Sequence, residues 1–145
     1  MKRILYALQF RGSAVPDASG VLKVKGSADS ANVRTTVGAD LDAVIEPAPG
    51  GAAEFESDVA MIGDTAFDEK GTIRFGEAGS LRFTTVGRGT VGPAPEEGVN
   101  AGAVIWKVEG GEGRLSGVSG LITSNFFFNT AGEVTDNQIG VLYLP

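Results

Sequence analysis

Two tyrosines, Tyr6 and Tyr143, and two asparagines, Asn125 and Asn137, are the side chains best suited to chemistry in this chain of 145 residues. It contains no histidine and no cysteine. The usual proton shuttle at neutral pH and the commonest metal ligand are therefore missing. So are a thiol nucleophile, a disulfide and a Cys-based zinc site. What remains is hydrogen-bond donation. A tyrosine hydroxyl with an asparagine amide beside it would stabilise a carbonyl or enolate oxygen on which negative charge develops. Glu69, Glu109 and Asp136 are candidate carboxylate bases. A carboxyl in a dry interior has its pKa raised, but charged side chains usually sit in water, and these three are expected there. Only carboxylates are left for a hard metal ion, and "DTAFDE" (64–69) lacks the EF-hand spacing. Neither a metal site nor a cofactor is expected.

Such donors need a scaffold, and the sequence describes one made of strands. In "RILYALQFR" (3–11), Ile4, Tyr6, Leu8 and Phe10 alternate with Arg3, Leu5, Ala7, Gln9 and Arg11, a period of two. "EFESDVAMI" (54–62) sets Phe55, Ser57, Val59 and Met61 against an acidic face. "GTIRFG" (71–76) and "SLRFTTVGR" (80–88) repeat the pattern through Ile73 and Phe75, then Leu81, Phe83 and Thr85. Arg74, Arg82 and Arg88 are expected to pair with Glu54, Glu56 and Asp58 on the surface. Turn signals such as "PDASG", "PAPGG", "DEKG" and "NTAG" separate these runs. Twenty-two glycines and six prolines are costly in helices but suit hairpin turns. "GADLDAVIE" (38–46) has helix-like spacing and ends at Pro47, so it reads as one helical turn or a strand. "GPAPEEG" (92–98) reads as a stiff connection, or as a lid at the mouth of a pocket. The count is seven to nine strands in one domain over 1–145, and eight antiparallel strands close into a barrel that holds filled side chains or one small ligand.

"AVIWKVE" (103–109) carries Val104, Trp106 and Val108 on one face, with Lys107 and Glu109 on the other, so Trp106 is expected inside. Gly110, Gly111 and Gly113 then form an irregular turn, with Leu115 and Val118 folding back as a plug before "LITSNFFF" (121–128) resumes the sheet. A phosphate loop is a poor fit, because no Gly-Lys-Ser/Thr and no helix follow. "VEGGEGRLSGVSG" (108–120) resembles the Gly-Gly-x-Gly-x-φ-x-Gly-x-x-Gly signature of the allene oxide cyclase-like barrels, a group that includes the plant dirigent proteins. The resemblance covers about a dozen residues; beyond them only strand count and order agree. It implies an all-β, eight-stranded antiparallel, calycin-like barrel with little helix. It also implies a homo-oligomer, dimer or trimer, and an apolar small molecule cyclised or isomerised without a cofactor. The chain looks most like uncharacterised bacterial members.

The interior is expected to be lined by Tyr6, Phe10, Phe55, Met61, Phe75, Phe83 and Trp106, the last five forming the ligand wall. The final two strands are apolar or polar on both faces. Asn125 shares a face with Thr123 and Phe127, and Asn137 with Ile139 and Tyr143, while Asp136 and Gln138 take the other side with Leu142. Two such faces suit a strand pair that sees the lumen on one side and another subunit on the other. A net charge of −6 and a pI of about 4.6 argue against nucleic acid, whose binders need a basic surface. No apolar run reaches the length of a membrane span. "MKRILYALQF" is read as a first strand rather than a signal peptide, and the protein is expected in the cytoplasm. Three functions remain: a cofactor-free isomerase, cyclase or lyase, a carrier of an apolar ligand, or a filled structural barrel.

Overall fold

Alternation with a period of two runs through most of the sequence, and most of the chain is strand. The computed structural model describes residues 1–145. Nine strands follow in order: β1 (Lys2–Pro16), β2 (Leu22–Thr36), β3 (Asp42–Ile62), β4 (Ala66–Phe75), β5 (Gly79–Thr85), β6 (Gly89–Pro93), β7 (Val99–Gly113), β8 (Ser119–Asn129) and β9 (Glu133–Leu144). The only helical element is a 3₁₀ turn at Gly76–Ala78. No helix is long and apolar enough to cross a membrane. Of the two readings of the segment with helix-like spacing, the strand is the one found: from Asp42 it forms the start of β3, paired residue by residue with β2 from Thr36↔Asp42 to Ala31↔Pro47.

All pairings are antiparallel, and they close. β1 pairs β2, β2 pairs β3, β3 pairs β4, β4 pairs β5, β5 pairs β7, β7 pairs β8, β8 pairs β9, and β9 returns to β1. The result is a closed ring of eight strands, with β6 bridging β4 and β7. β5 and β6 occupy one position in that ring. Lys70↔Thr84 is the last β4–β5 pair and Phe67↔Gly89 the first β4–β6 pair, so the two are halves of a single strand broken at residues 86–88. Closure pairs the first strand with the last, so the ring itself ends in no free edge strand.

The two ends of the ring differ. At one end the interior is filled. Leu115 and Val118 fold inward as buried side chains over Leu81, Ile122 and Leu142. The glycine run permits this: Gly113 has φ +67°, and a Cβ on Gly111 would stand 2.6 Å from the Ser80 carbonyl oxygen. Leu115 and Val118 thus plug the ring as the sequence suggested. At the other end the turns after β1, β3 and β8 surround an opening.

Charged side chains point outward, but with partners other than those expected. Lys23 holds Asp58 at 2.7 Å and Lys25 lies 3.6 Å from Glu56, both cations on neighbouring β2. Arg82 is near Glu112 rather than the β3 acids. The β2–β3 ladder puts Lys23 opposite Asp58 and Lys25 opposite Glu56, and that register decides those pairs; Glu54 faces Ser27 on β2 and, on the β4 side, Arg74 as expected, though without a close ion pair. Beyond Asp29 the β2–β3 hairpin continues past its β1 and β4 neighbours as a two-stranded ribbon, bearing the exposed Val33, Val37, Leu41 and Ile45.

Candidate functional site

A cavity of about 660 Å³ opens at the unplugged end. Apolar side chains dominate its wall: Phe55, Val59 and Met61 of β3, Phe67 of β4, and Phe126 and Phe128 of β8. Two carboxyls, Glu69 and Asp136, interrupt that wall and are themselves buried. The pattern is one expected of ligand sites, a concave apolar surface with a few placed polar groups.

The break between β5 and β6 positions Glu69. Asp68 and Glu69 lie opposite residues 85–88, where the ladder is interrupted. The Thr85 side chain replaces the missing strand. The Glu69 backbone N–H donates to Thr85 Oγ1 at 2.8 Å, and that hydroxyl donates to the Glu69 carbonyl at 2.7 Å. The Glu69 side chain points inward on the same face as Phe67, Gly71 and Ile73. Its Oε1 accepts from the Ser57 hydroxyl at 2.6 Å, and its Oε2 from Trp106 Nε1 at 3.2 Å. The Trp106 ring is fixed by stacking on Phe83 at 4.1 Å and Phe55 at 5.6 Å. Thr85→Val keeps the shape of the side chain and removes both backbone partners. Leaving such groups unpaired is expected to cost about 1–3 kcal/mol in urea unfolding, with Thr85→Ser close to wild type.

Asp136 sits on β9, facing inward between Val134 and Gln138. Its Oδ1 accepts from Ser124 Oγ at 2.5 Å and its Oδ2 from Gln138 Nε2 at 2.8 Å. Gln138 in turn accepts from the Tyr6 hydroxyl at 3.3 Å. Gly140 makes room for this chain of contacts, since a Cβ there would lie 2.1 Å from the Tyr6 ring.

Burial sets the electrostatics. Desolvation pushes the Glu69 carboxyl up to about 8, and the charge of Asp136 adds to the rise, against opposing hydrogen bonds from Ser57 and Trp106. Desolvation lifts Asp136 to about 6, restrained by Ser124 and Gln138. The Tyr6 hydroxyl is raised by burial and by Asp136, and stays protonated. Near neutral pH Glu69 therefore keeps its proton while Asp136 is mostly ionised. Two like groups whose environments separate their proton affinities form an acid and a base.

The residues singled out from sequence fall in three places. Phe55 and Met61 line the cavity. Phe75, Phe83 and Trp106 lie beneath it, packed against Tyr6 or one another, because stacked rings fill that half of the ring themselves. Tyr6 is inside but four residues along the β9 register from Asp136, where it braces Gln138 without lining the cavity. Tyr143, Asn125 and Asn137 require correction as candidates for chemistry. They lie on the outer face, with Tyr143 and Asn125 exposed and Asn137 accepting from Gln9 Nε2 at 2.9 Å. The inward face of β9 is the one that carries Asp136, Gln138 and Leu142. The expectation that Glu69 and Asp136 sit in water is likewise overturned, while Glu109 is exposed as expected. The proline-rich stretch forms the end of β6 and its turn, and Gly92 and Pro93 stand at the cavity.

Ser57, Ser124 and Gln138 were missed. The signal for Glu69 was present: counting back by twos from Phe75 and Ile73 passes Gly71 and arrives at Glu69 and Phe67. No family model, curated protein or solved structure matches the chain.

Proposed function

We propose that this chain is a small-molecule-binding β-barrel of the allene oxide cyclase-like, calycin-like kind. In it a cofactor-free isomerase, cyclase or lyase moves a proton on an apolar metabolite. The observation that carries this reading is the pair of buried carboxyls, Glu69 and Asp136, facing one largely apolar cavity with unequal affinity for a proton. Asp136, ionised near neutral pH, accepts a proton from the bound molecule, and Glu69 returns one at a second position. General acid–base steps of this sort contribute roughly 10²–10⁴-fold. Ser57 and Trp106 hold Glu69, Ser124 and Gln138 hold Asp136, and Tyr6 acts through Gln138 as a positioning residue. The glycine-run resemblance supports the same family of chemistry.

The test is incubation of the protein with a metabolite extract, followed by mass spectrometry of what is retained and released. Conversion by the wild type that disappears in Glu69→Gln and Asp136→Asn supports catalysis. Retention of an unaltered compound by all three makes the protein a carrier. No retention of any compound by the wild type removes the ligand reading.

A second copy of the chain covers the outer face of β1, β9, β8 and β7. Leu5, Leu121 and Ile139 are exposed there on adjacent strands, with Val141 between Leu5 and Leu121 in register. Contiguous apolar surface of this kind marks interaction sites. The projecting β2–β3 ribbon also lacks a partner, and an isolated two-stranded hairpin is marginal in water. Leu121→Lys with Ile139→Lys is expected to convert an oligomer to monomer in sedimentation velocity without altering the far-ultraviolet spectrum. A wild type that sediments as a monomer removes this partner.

A further inference from the structure

The cavity wall contains Asp64, Glu69 and Asp136 but neither lysine nor arginine. Each buried carboxyl is held only by neutral donors, Ser57 and Trp106 on Glu69, and Ser124 and Gln138 on Asp136. Each of their oxygens accepts one hydrogen bond from the protein, whereas a carboxylate offers about four acceptor positions. Buried charge ordinarily has an opposite charge beside it. Here the charged side chains of the surrounding strands, including Lys23 and Lys25 of β2, Glu56 of β3, Lys70 of β4 and Lys107 of β7, are exposed on the outer face. The other titratable groups near the pair are Tyr6, reached through Gln138, and Asp64 in the turn after β3.

From this arrangement we propose that the cavity takes an apolar amine bound as its ammonium ion, with the nitrogen at the Glu69–Asp136 pair and the hydrocarbon against the phenylalanine wall. The inference rests on the cavity being the ligand site, and holds whether or not the ligand is turned over. Two features favour a cation. The ammonium supplies the positive charge that no side chain provides. An anionic ligand would be placed beside like charge in a poorly screened space. The wall left for the hydrocarbon is aromatic: Phe67 and Phe126 meet edge to face at 5.6 Å, with Phe128 stacked 6.3 Å from Phe126.

Binding carries a proton signature. An ammonium beside Glu69 favours its ionised form, so near pH 7 the complex releases the proton that Glu69 holds in the free protein. Below the Asp136 pKa of about 6 the pair becomes neutral and the attraction is lost, so affinity falls as pH falls.

Isothermal titration calorimetry with 4-phenylbutylamine, 4-phenylbutan-1-ol and 4-phenylbutyrate tests this. The amine is expected to bind about tenfold or more tighter than the alcohol, and the alcohol tighter than the carboxylate. Amine binding should release a proton, seen as a heat that depends on the buffer, and Glu69→Gln should abolish that release. Asp136→Asn should bring amine and alcohol to within about threefold of each other. Alcohol binding that equals or exceeds amine binding overturns the amine inference and leaves the cavity reading intact. Failure of all three compounds to bind overturns both. If Asp136→Asn does not fold, proton release in the wild type and its loss in Glu69→Gln decide the matter, and amine binding without release counts against the proposal.

Discussion

Glu69→Gln is expected to make the protein markedly more stable in alkaline solution while leaving it nearly unchanged in mild acid. Glu69 holds its proton up to about pH 8 in the folded protein, against an ordinary value of 4.5. Below 4.5 the folded and unfolded chains are both protonated and the site is neutral in each. Between 4.5 and 8 the unfolded chain has released its proton and the folded chain has not. The folded state then binds more protons, so stability falls as pH rises. Above 8 both states are ionised and the loss is complete. A rise from 4.5 to about 8 corresponds to on the order of 5 kcal/mol at about 1.4 kcal/mol per tenfold.

Glutamine has no proton to lose, and it fits the same partners. Its carbonyl accepts from Trp106 Nε1 and its amide donates to the Ser57 hydroxyl. Asp136 contributes a parallel loss, from its ordinary 3.8 up to about 6, but does so in both proteins and cancels in the comparison. The difference between variant and wild type therefore opens across the window from 4.5 to about 8. It should reach on the order of 10 °C in melting temperature at its upper end for a chain of this size. Melting curves of the two proteins that run parallel from pH 5 to pH 9 would mean that Glu69 ionises normally, and the proposed acid would be lost with it.

The scaffold was more legible in the sequence than the site. Alternation in "RILYALQFR" placed Ile4, Tyr6, Leu8 and Phe10 on the inner face of β1, and Trp106 came out fully buried as its alternation with Lys107 and Glu109 required. These assignments succeed because a strand facing water on one side must segregate its side chains with a period of two. The carboxyls escaped the same logic because it was applied through residue type. Glu69 and Asp136 occupy inward positions of otherwise inward-facing strands, yet acidic residues are usually wet, and that prior displaced the register. Register is a geometric constraint with no regard for polarity, and a functional site is where the two disagree. What makes the disagreement tolerable lies far away in sequence. Ser57 and Trp106 meet Glu69 only after the ring closes, and no local pattern announces that meeting. The outward placement of Asn125, Asn137 and Tyr143 follows from the same cause, since both faces of β8 and β9 carry mixed residues and only closure decides which turns inward.

Trp106 separates packing from hydrogen bonding at the acid. Its ring is fully buried between Phe83 and Phe55, so Trp106→Ala, which removes ring and donor together, is expected to cost about 3–5 kcal/mol in denaturant unfolding near pH 5. Trp106→Phe is the more informative variant. It keeps an aromatic ring in the stack and deletes the Nε1 donor to Glu69 Oε2. A hydrogen bond to an ionised carboxylate is worth about 1.5–3 kcal/mol, and one between neutral groups about half that. The cost of Trp106→Phe should therefore be small near pH 5, where Glu69 is neutral, and grow as pH rises past 8 and the carboxylate forms. Placed on Glu69→Gln, the same substitution should lose its pH dependence, since no charge appears at that position. A Trp106→Phe cost that is flat with pH in both backgrounds would reduce the indole to a packing element and leave Ser57 alone as the group that tunes the acid.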